Sequence, residues 1–246
     1  MLPVPIRRLP PWTPALLLVI VVVAVACLPA VQAQTDAARP FVPPFKDPPG
    51  PATWLLVQAY GNTSLAYQQR NELYRLSGGI HFGVDLGAPC GTEITAIGDG
   101  VVFAVDELRY GSAPHNLIID HPAVKYSSLY GHLLERPMLK VGQPVKQGEV
   151  IAHSGDPAGA ACYGRPHLHL EIRDLQHNRK YNPVTLIRAD WVNLAITGRF
   201  GANFEYNLDD PRQWQHLDDQ PQVTGGGPIV NDFKNPWPPD WRIFAK

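Results

Sequence analysis

The sequence predicts an all-β fold, a compact antiparallel β-sandwich or barrel, and three observations lead there. Short apolar stretches recur along the middle of the chain, each about the length of a strand. Glycine-containing turns separate them. The 246 residues include 26 prolines and 21 glycines, a composition that suits turns and strands better than long helices.

The elements follow in chain order. Residues 39–51 read RPFVPPFKDPPGP, too rich in proline for a sheet interior, and are expected as a spacer or as a strap over the domain surface. Folded sequence is expected from Trp54. Ala66 to Leu76 is the single stretch with a helical pattern. Glu93 to Val105 (EITAIGDGVVFAV) holds two apolar runs around Gly98-Asp99-Gly100, a hairpin or bulge signal. Asn116 to His121 (NLIIDH) reads as a buried strand, followed by strands over Tyr126 to Leu133 and over Val141 to Ile151. His167 to Arg173 alternates strictly, as a half-buried strand does. After Arg188 no period is visible. Trp191, Trp214, Trp237 and Trp241 stand there among Asp, Pro and Gly, and packing on the core is their expected role, with stacking on sugar rings as the alternative.

Four regions result: a signal peptide over 1–33, a Pro-rich linker over 34–53, a folded domain over 54–188 and an irregular extension over 189–246. The first rests on Arg7 and Arg8 ahead of an apolar run from Ala15 to Leu28, with Val31-Gln32-Ala33 offering a cleavage site. That run is shorter than the ~20 residues of a bilayer-spanning helix, so no stable span is expected after cleavage; an uncleaved anchor is the alternative. A lipoprotein reading at Cys27 is disfavoured, since the position three before it is Ala24 rather than a bulky aliphatic. The expected destination is extracytoplasmic, secreted or in the cell envelope. A formal net charge of -1 gives no electrostatic case for nucleic acid. Once Cys27 is removed, Cys90 and Cys162 remain, either as a disulfide joining two loops or as two free buried thiols.

The chemistry lies in the histidines. His81 and Asp85 are four apart in GGIHFGVDLG, where glycines argue against helix; on an extended strand this even spacing puts both on one face. His132 sits in LYGHLL, and His167 and His169 share a face in PHLHLEIR. Two histidines and one aspartate are the donor set of a catalytic zinc with one position left for water. A further histidine pair, titrating near neutral pH, suits the proton transfers of amide hydrolysis. His115, His121, His153, His177 and His216 take structural readings.

At these residues the chain resembles the lysostaphin and LytM-type zinc metallopeptidases. The likeness runs from about Gln58 to Ile187 through GGIHFGVDLGAPCGTEITAIGDGVV, NLIIDHP, YGHLL, VGQPVKQGEVIAHSGDPAG, RPHLHLEIRD and YNPVTLI. The resemblance implies an antiparallel sandwich of the duplicated hybrid motif kind, with one Zn2+ per chain held by His81, Asp85 and His169. It implies His132 and His167 as the catalytic pair, and peptidoglycan peptides (stem or cross-bridge) as substrate of a monomeric endopeptidase. Relatives often carry a Tyr or Arg shortly before HxxxD to stabilise the oxyanion, which makes Tyr74 and Arg75 candidates. The segment DPAGAACYGRPHLH departs from the family's shorter TG-x-STGPHLH and is expected to wall the groove. Two other functions compete: a catalytically inactive member that binds wall or regulates another hydrolase, and a peptidase of other secreted proteins.

Overall fold

The strands that the apolar stretches predict are present, and they pair antiparallel throughout. The computed structural model describes residues 39–61, 63–159, 162–197 and the short pieces 205–206, 214–215, 217 and 223–224. The expected signal segment and most of the C-terminal extension, including Trp237 and Trp241, lie outside the described residues.

In chain order the elements are β1 (Leu55–Gln58), α1 (Ser64–Gln68), β2 (Val84–Gly87), β3 (Glu93–Thr95), β4 (Gly100–Val105), β5 (Asn116–His121), β6 (Tyr126–Gly131), β7 (Pro144–Val145), β8 (Val150–His153), β9 (His167–Asp174), β10 (Arg179–Tyr181), α2 (Trp191–Thr197), β11 (Glu205–Tyr206), β12 (Trp214–Gln215) and β13 (Val223–Thr224). A nine-stranded sheet runs β1-β2-β9-β6-β5-β4-β7, with β10 joined to β9 and β13 to β10. Its ends do not meet, so the fold is a sandwich rather than a closed barrel. The second layer includes the two-stranded sheet β3–β8, whose Ile94 and Ala152 share one buried cluster with Leu86, Leu168 and Tyr130 of the large sheet. Tyr130 fixes the layers through its hydroxyl, which accepts the Ile97 N–H at 2.9 Å.

Two expectations change. The Gly98-Asp99-Gly100 turn makes no hairpin: β3 pairs with β8 and β4 with β5 and β7, so the chain crosses from one sheet to the other there. A turn signal specifies a change of direction and leaves the partner to long-range packing. The helical reading of 66–76 reduces to α1 and a 3₁₀ turn over Arg75–Ser77.

The Pro-rich segment lies as a strap from Phe41 onward. Phe41 is 1% exposed and bridges in parallel to Ile187. Its N–H donates to the Leu186 carbonyl at 3.1 Å, and the Val42 N–H donates to Ile97 at 3.0 Å. Phe45 stacks on Trp54 with ring centroids 5.3 Å apart. Prolines leave few N–H groups to satisfy, and the two phenylalanines between them bury the apolar surface that holds the strap down. At the other end, α2 was invisible as a period. Trp191, Leu194 and Ala195 form its buried stripe, and the Trp191 indole donates to the Ile187 carbonyl at 3.0 Å.

Phe41→Ala is expected to cost about 3–5 kcal/mol, the range for emptying a buried aromatic site. Urea unfolding of the variant checks this; a change within about 0.5 kcal/mol, as at an exposed spacer residue, contradicts it.

Candidate metal centre

Strand β9 lies between β2 and β6, and its register decides which side chains meet. His169 sits opposite Asp85 on β2 and opposite Gly131 on β6. His167, His169, Glu171 and Arg173 project from one face of β9, while Leu168, Leu170 and Ile172 enter the core from the other. His81 is not on the strand that carries Asp85. It makes an isolated bridge to Gly61, with its N–H donating to the Gly61 carbonyl at 2.9 Å, and the chain bends through Phe82-Gly83 before β2 begins. Gly83 is required by space: a Cβ there would lie 2.4 Å from the Leu170 carbonyl oxygen. The spacing of HxxxD thus spans a bend that only glycine permits.

His81, Asp85 and His169 are buried and offer ligand atoms within 4.8 Å of one another, the one such group among the described residues. His81 Nε2 lies 3.1 Å from Asp85 Oδ1 and 3.1 Å from His169 Nδ1, and His169 Nδ1 lies 2.8 Å from Asp85 Oδ1. The far ring nitrogens are committed elsewhere. His81 Nδ1 faces the Ala59 carbonyl at 2.7 Å, and His169 Nε2 faces Glu171 Oε1 at 3.1 Å. Both partners accept, so the far nitrogens carry N–H whatever the charge of the rings, and the near nitrogens are the ones left to face Asp85. Two ring nitrogens and a carboxylate oxygen then converge on one point, a donor set that could hold a cation.

The charge balance agrees. Burial by itself raises the Asp85 carboxyl, but the charges of His81 and His167 and hydrogen bonds from His169 and His81 hold it well below the ordinary carboxylate range. Burial lowers His169, yet the hydrogen bonds and charges of Asp85 and Glu171 outweigh it and hold this ring up at about 9. The pocket favours positive charge at its centre. Ligands ~2.0–2.2 Å from a tetrahedral zinc lie about 3.4 Å apart; the separations of 3.1, 3.1 and 2.8 Å found here are shorter by about three to six tenths of an ångström, so small side-chain shifts would let the three residues fit such an ion.

His132 and His167 stand beside this group. Their ring centroids are 4.8 Å apart, and His132 lies 5.6 Å from His169. His132 follows the end of β6 with a left-handed φ of 57° and donates Nδ1–H to the Ala113 carbonyl. Burial, then the charges of His169 and His167, push it down to about 4. His167 donates Nδ1–H to the Arg165 carbonyl at 2.6 Å, and its Nε2 lies 3.7 Å from Asp85 Oδ2. His132, kept neutral by burial, therefore leaves Nε2 without a hydrogen, while His167 Nε2 faces the Asp85 carboxylate. Of the two oxyanion candidates, Tyr74 reaches the group, edge-on to His81 with centroids 6.0 Å apart, while Arg75 is exposed. Burial, then the Asp85 charge, raise the Tyr74 phenol, so it keeps its proton; its hydroxyl donates to Gln58 Oε1 at 3.1 Å.

The loop ahead of His167 is pinned at two points. Cys90 and Cys162 are disulfide-bonded with Cα atoms 6.1 Å apart, which decides between the two readings of that pair. Asp156 accepts the Ala158 and Gly164 N–H groups at 2.9 and 2.6 Å. Tyr163 on this loop is 95% exposed.

Four of the remaining histidines have local partners. His115 meets Asp106 at 2.9 Å, His153 meets Glu135 at 2.6 Å, His121 bridges the Asp99 carbonyl and Ser128 Oγ at 2.8 Å each, and His177 packs on Phe103 with centroids 4.0 Å apart. His216 lies outside the described residues. Sequence reasoning missed Ala59, Gln58, Glu171 and Arg173. The first two carry no local signal. For the others, the pattern HxHxExR was the signal, since it puts the acid and base on the histidine face.

Residues 79–183 match the family model described as peptidase family M23. The chain is 38% identical over 137 residues to peptidoglycan DD-endopeptidase ShyC of Vibrio cholerae, covering 56% of this chain and 30% of that protein. It is also 38% identical over 92 residues to murein hydrolase activator EnvC of Escherichia coli, covering 37% and 20%. The chain thus spans less than a third of the length of these relatives. Among solved structures, a zinc-containing peptidase from Vibrio cholerae aligns at 27% identity with a TM-score of 0.41, covering 62% of this chain and 41% of that one.

Gly83→Ala is expected to force β2 away from β9, lowering stability by about 1–3 kcal/mol and weakening metal binding. Denaturant unfolding and competition with a chelator check the two effects together. Parental values in both would show that the bend tolerates a side chain.

Proposed function

We propose, from the premise that residues 79–183 form a domain of peptidase family M23, that this chain is a zinc-dependent endopeptidase hydrolysing peptide bonds in peptidoglycan. The observation that carries the reading is the convergence of His81 Nε2, His169 Nδ1 and Asp85 Oδ1, with both far ring nitrogens already committed as donors. When bound there, zinc supplies Lewis acidity, polarising a carbonyl and bringing the pKa of water towards ~7.

The protein's own groups take the remaining roles. His132, held as the neutral base by burial, accepts a water proton at Nε2 and returns it to the departing amine nitrogen. His167, fixed by the Arg165 carbonyl, orients the same water from the other side. Tyr74 keeps its phenolic proton at neutral pH and, turning it away from Gln58 Oε1, donates it in a hydrogen bond to the charge growing on the scissile carbonyl oxygen. The substrate class follows the name of the DD-endopeptidase relative. Export follows the N-terminal sequence signal, and the Cys90–Cys162 disulfide supports an oxidising compartment.

The match to a hydrolase activator at the same identity favours one second reading, a regulator without catalysis. The complete donor set and the bare His132 Nε2 beside it support the enzyme instead. Digestion of purified peptidoglycan, with mass analysis of the fragments with and without a chelator, separates the two. Chelator-sensitive release of peptide fragments is expected; bound metal with no release would support the regulator.

His132→Ala is expected to lower the cleavage rate by about 10²–10⁴-fold while bound zinc stays stoichiometric. Cleavage kinetics and metal analysis of one preparation check this. A parental rate removes His132 from the mechanism.

A further inference from the structure

Behind His169 lies a buried ion pair that the proposed reaction does not use. Glu171 and Arg173 share the His169 face of β9 and are 4% and 3% exposed. The carboxylate is divided between two partners: Oε1 faces His169 Nε2 at 3.1 Å, and Oε2 accepts from Arg173 Nε at 2.6 Å. Arg173 Nη2 continues the chain to the Tyr110 carbonyl at 2.8 Å, in the 3₁₀ turn Leu108–Tyr110 that follows β4. One line of hydrogen bonds therefore runs from the metal centre along β9 to a turn beyond the strand's other neighbours.

Stability does not explain such a pair. Two charges removed from water lose hydration that their mutual attraction seldom exceeds, and an apolar pair of similar volume often serves the fold as well or better. What an apolar pair cannot do is choose a tautomer. An imidazole offers a lone pair to a metal at one nitrogen only when its hydrogen is kept at the other.

We propose that Glu171 and Arg173 are positioning residues for the metal, acting through His169; the inference rests on the metal-site reading above. Glu171 holds the hydrogen on His169 Nε2, so that Nδ1, aimed at Asp85 and His81, is the nitrogen left to give its lone pair to a metal. Arg173 holds the Glu171 carboxylate in place with a fork anchored on Tyr110. Lys at this position keeps the charge and loses the planar fork that spans both acceptors. Each residue therefore contributes to how tightly and in what geometry the ion is held.

The test uses the full chain stripped of metal and titrated with Co2+, whose visible absorption reports the ligand set, followed by competition between Zn2+ and a chelator. Glu171→Gln is expected to bind both ions about 10–100-fold more weakly, with an altered Co2+ spectrum. Arg173→Lys is expected to fall between Glu171→Gln and the parent. The paired change Glu171→Met with Arg173→Met is expected to melt at or above the parental temperature and still bind at least 10-fold more weakly. It decides the matter if Glu171→Gln does not fold, because it removes the ion pair as a unit and leaves no lone buried charge. Binding within threefold of the parent with the parental spectrum, in either Glu171→Gln or the Met pair, overturns the proposal and leaves the metal site standing. A parent chain that binds neither ion overturns the metal site and this inference with it.

Discussion

The ladder between Val84–Gly87 and His167–Asp174 is the constraint on which the rest depends. Its register puts Asp85 beside His169, and the next ladder puts Gly131 on the other side of the same histidine. A slip of one residue would turn His167, His169, Glu171 and Arg173 into the core and Leu168, Leu170 and Ile172 outward. Three fully buried aliphatic side chains on one face therefore fix the polar set on the other. The hydrophobic effect, which has no directional preference of its own, thereby becomes the device that sets ligand geometry.

Close approach is the second requirement. The backbones of Phe82-Gly83 and Leu170 come too near for any side chain at position 83, and His81 reaches Asp85 only because of that bend. The hydrogen bonds around the centre then divide into two kinds. Some are internal to the donor group, and some tie it outward, to the Ala59 carbonyl through His81 and to Glu171 through His169. The outward bonds come from separate chain segments, Ala59 just after β1 and Glu171 on β9.

Much of this was legible in the sequence, and what was not has physical reasons. β5, β6 and β9 were readable because each is a run of strand-forming residues, although all three are buried along nearly their whole length rather than on one face. The β3–β8 pairing was not, because Glu93 meets His153 across a separation that no local turn encodes. The strap was one of the two readings of the Pro-rich segment, and what its prolines hid is that Phe41 and Phe45 do the packing. Helix α2 was hidden by Val192 and Thr197, poor helix formers outweighed here by the buried Trp191, Leu194 and Ala195. At the candidate site, residue types at set spacings pointed to His81, Asp85 and His169, but the strand geometry first imagined for His81 was wrong in detail. Glu171 and Arg173 went unread, because charge at alternate positions of a strand is usually solvated and burial is not written in a single sequence.

The donors come from chain segments far apart: His81 and His169 are 88 residues from each other, and Asp85 and His169 are 84. A ribosome that has reached residue 166 has released two of the three donors and none of β9. Such a nascent chain has no preformed cage, and any ion it meets sees only two mobile side chains. An ion held there, as the proposed function requires, is then captured only after strand insertion. Chains cut short or mispaired at β9 lack the third donor, so only a closed sheet presents the complete set.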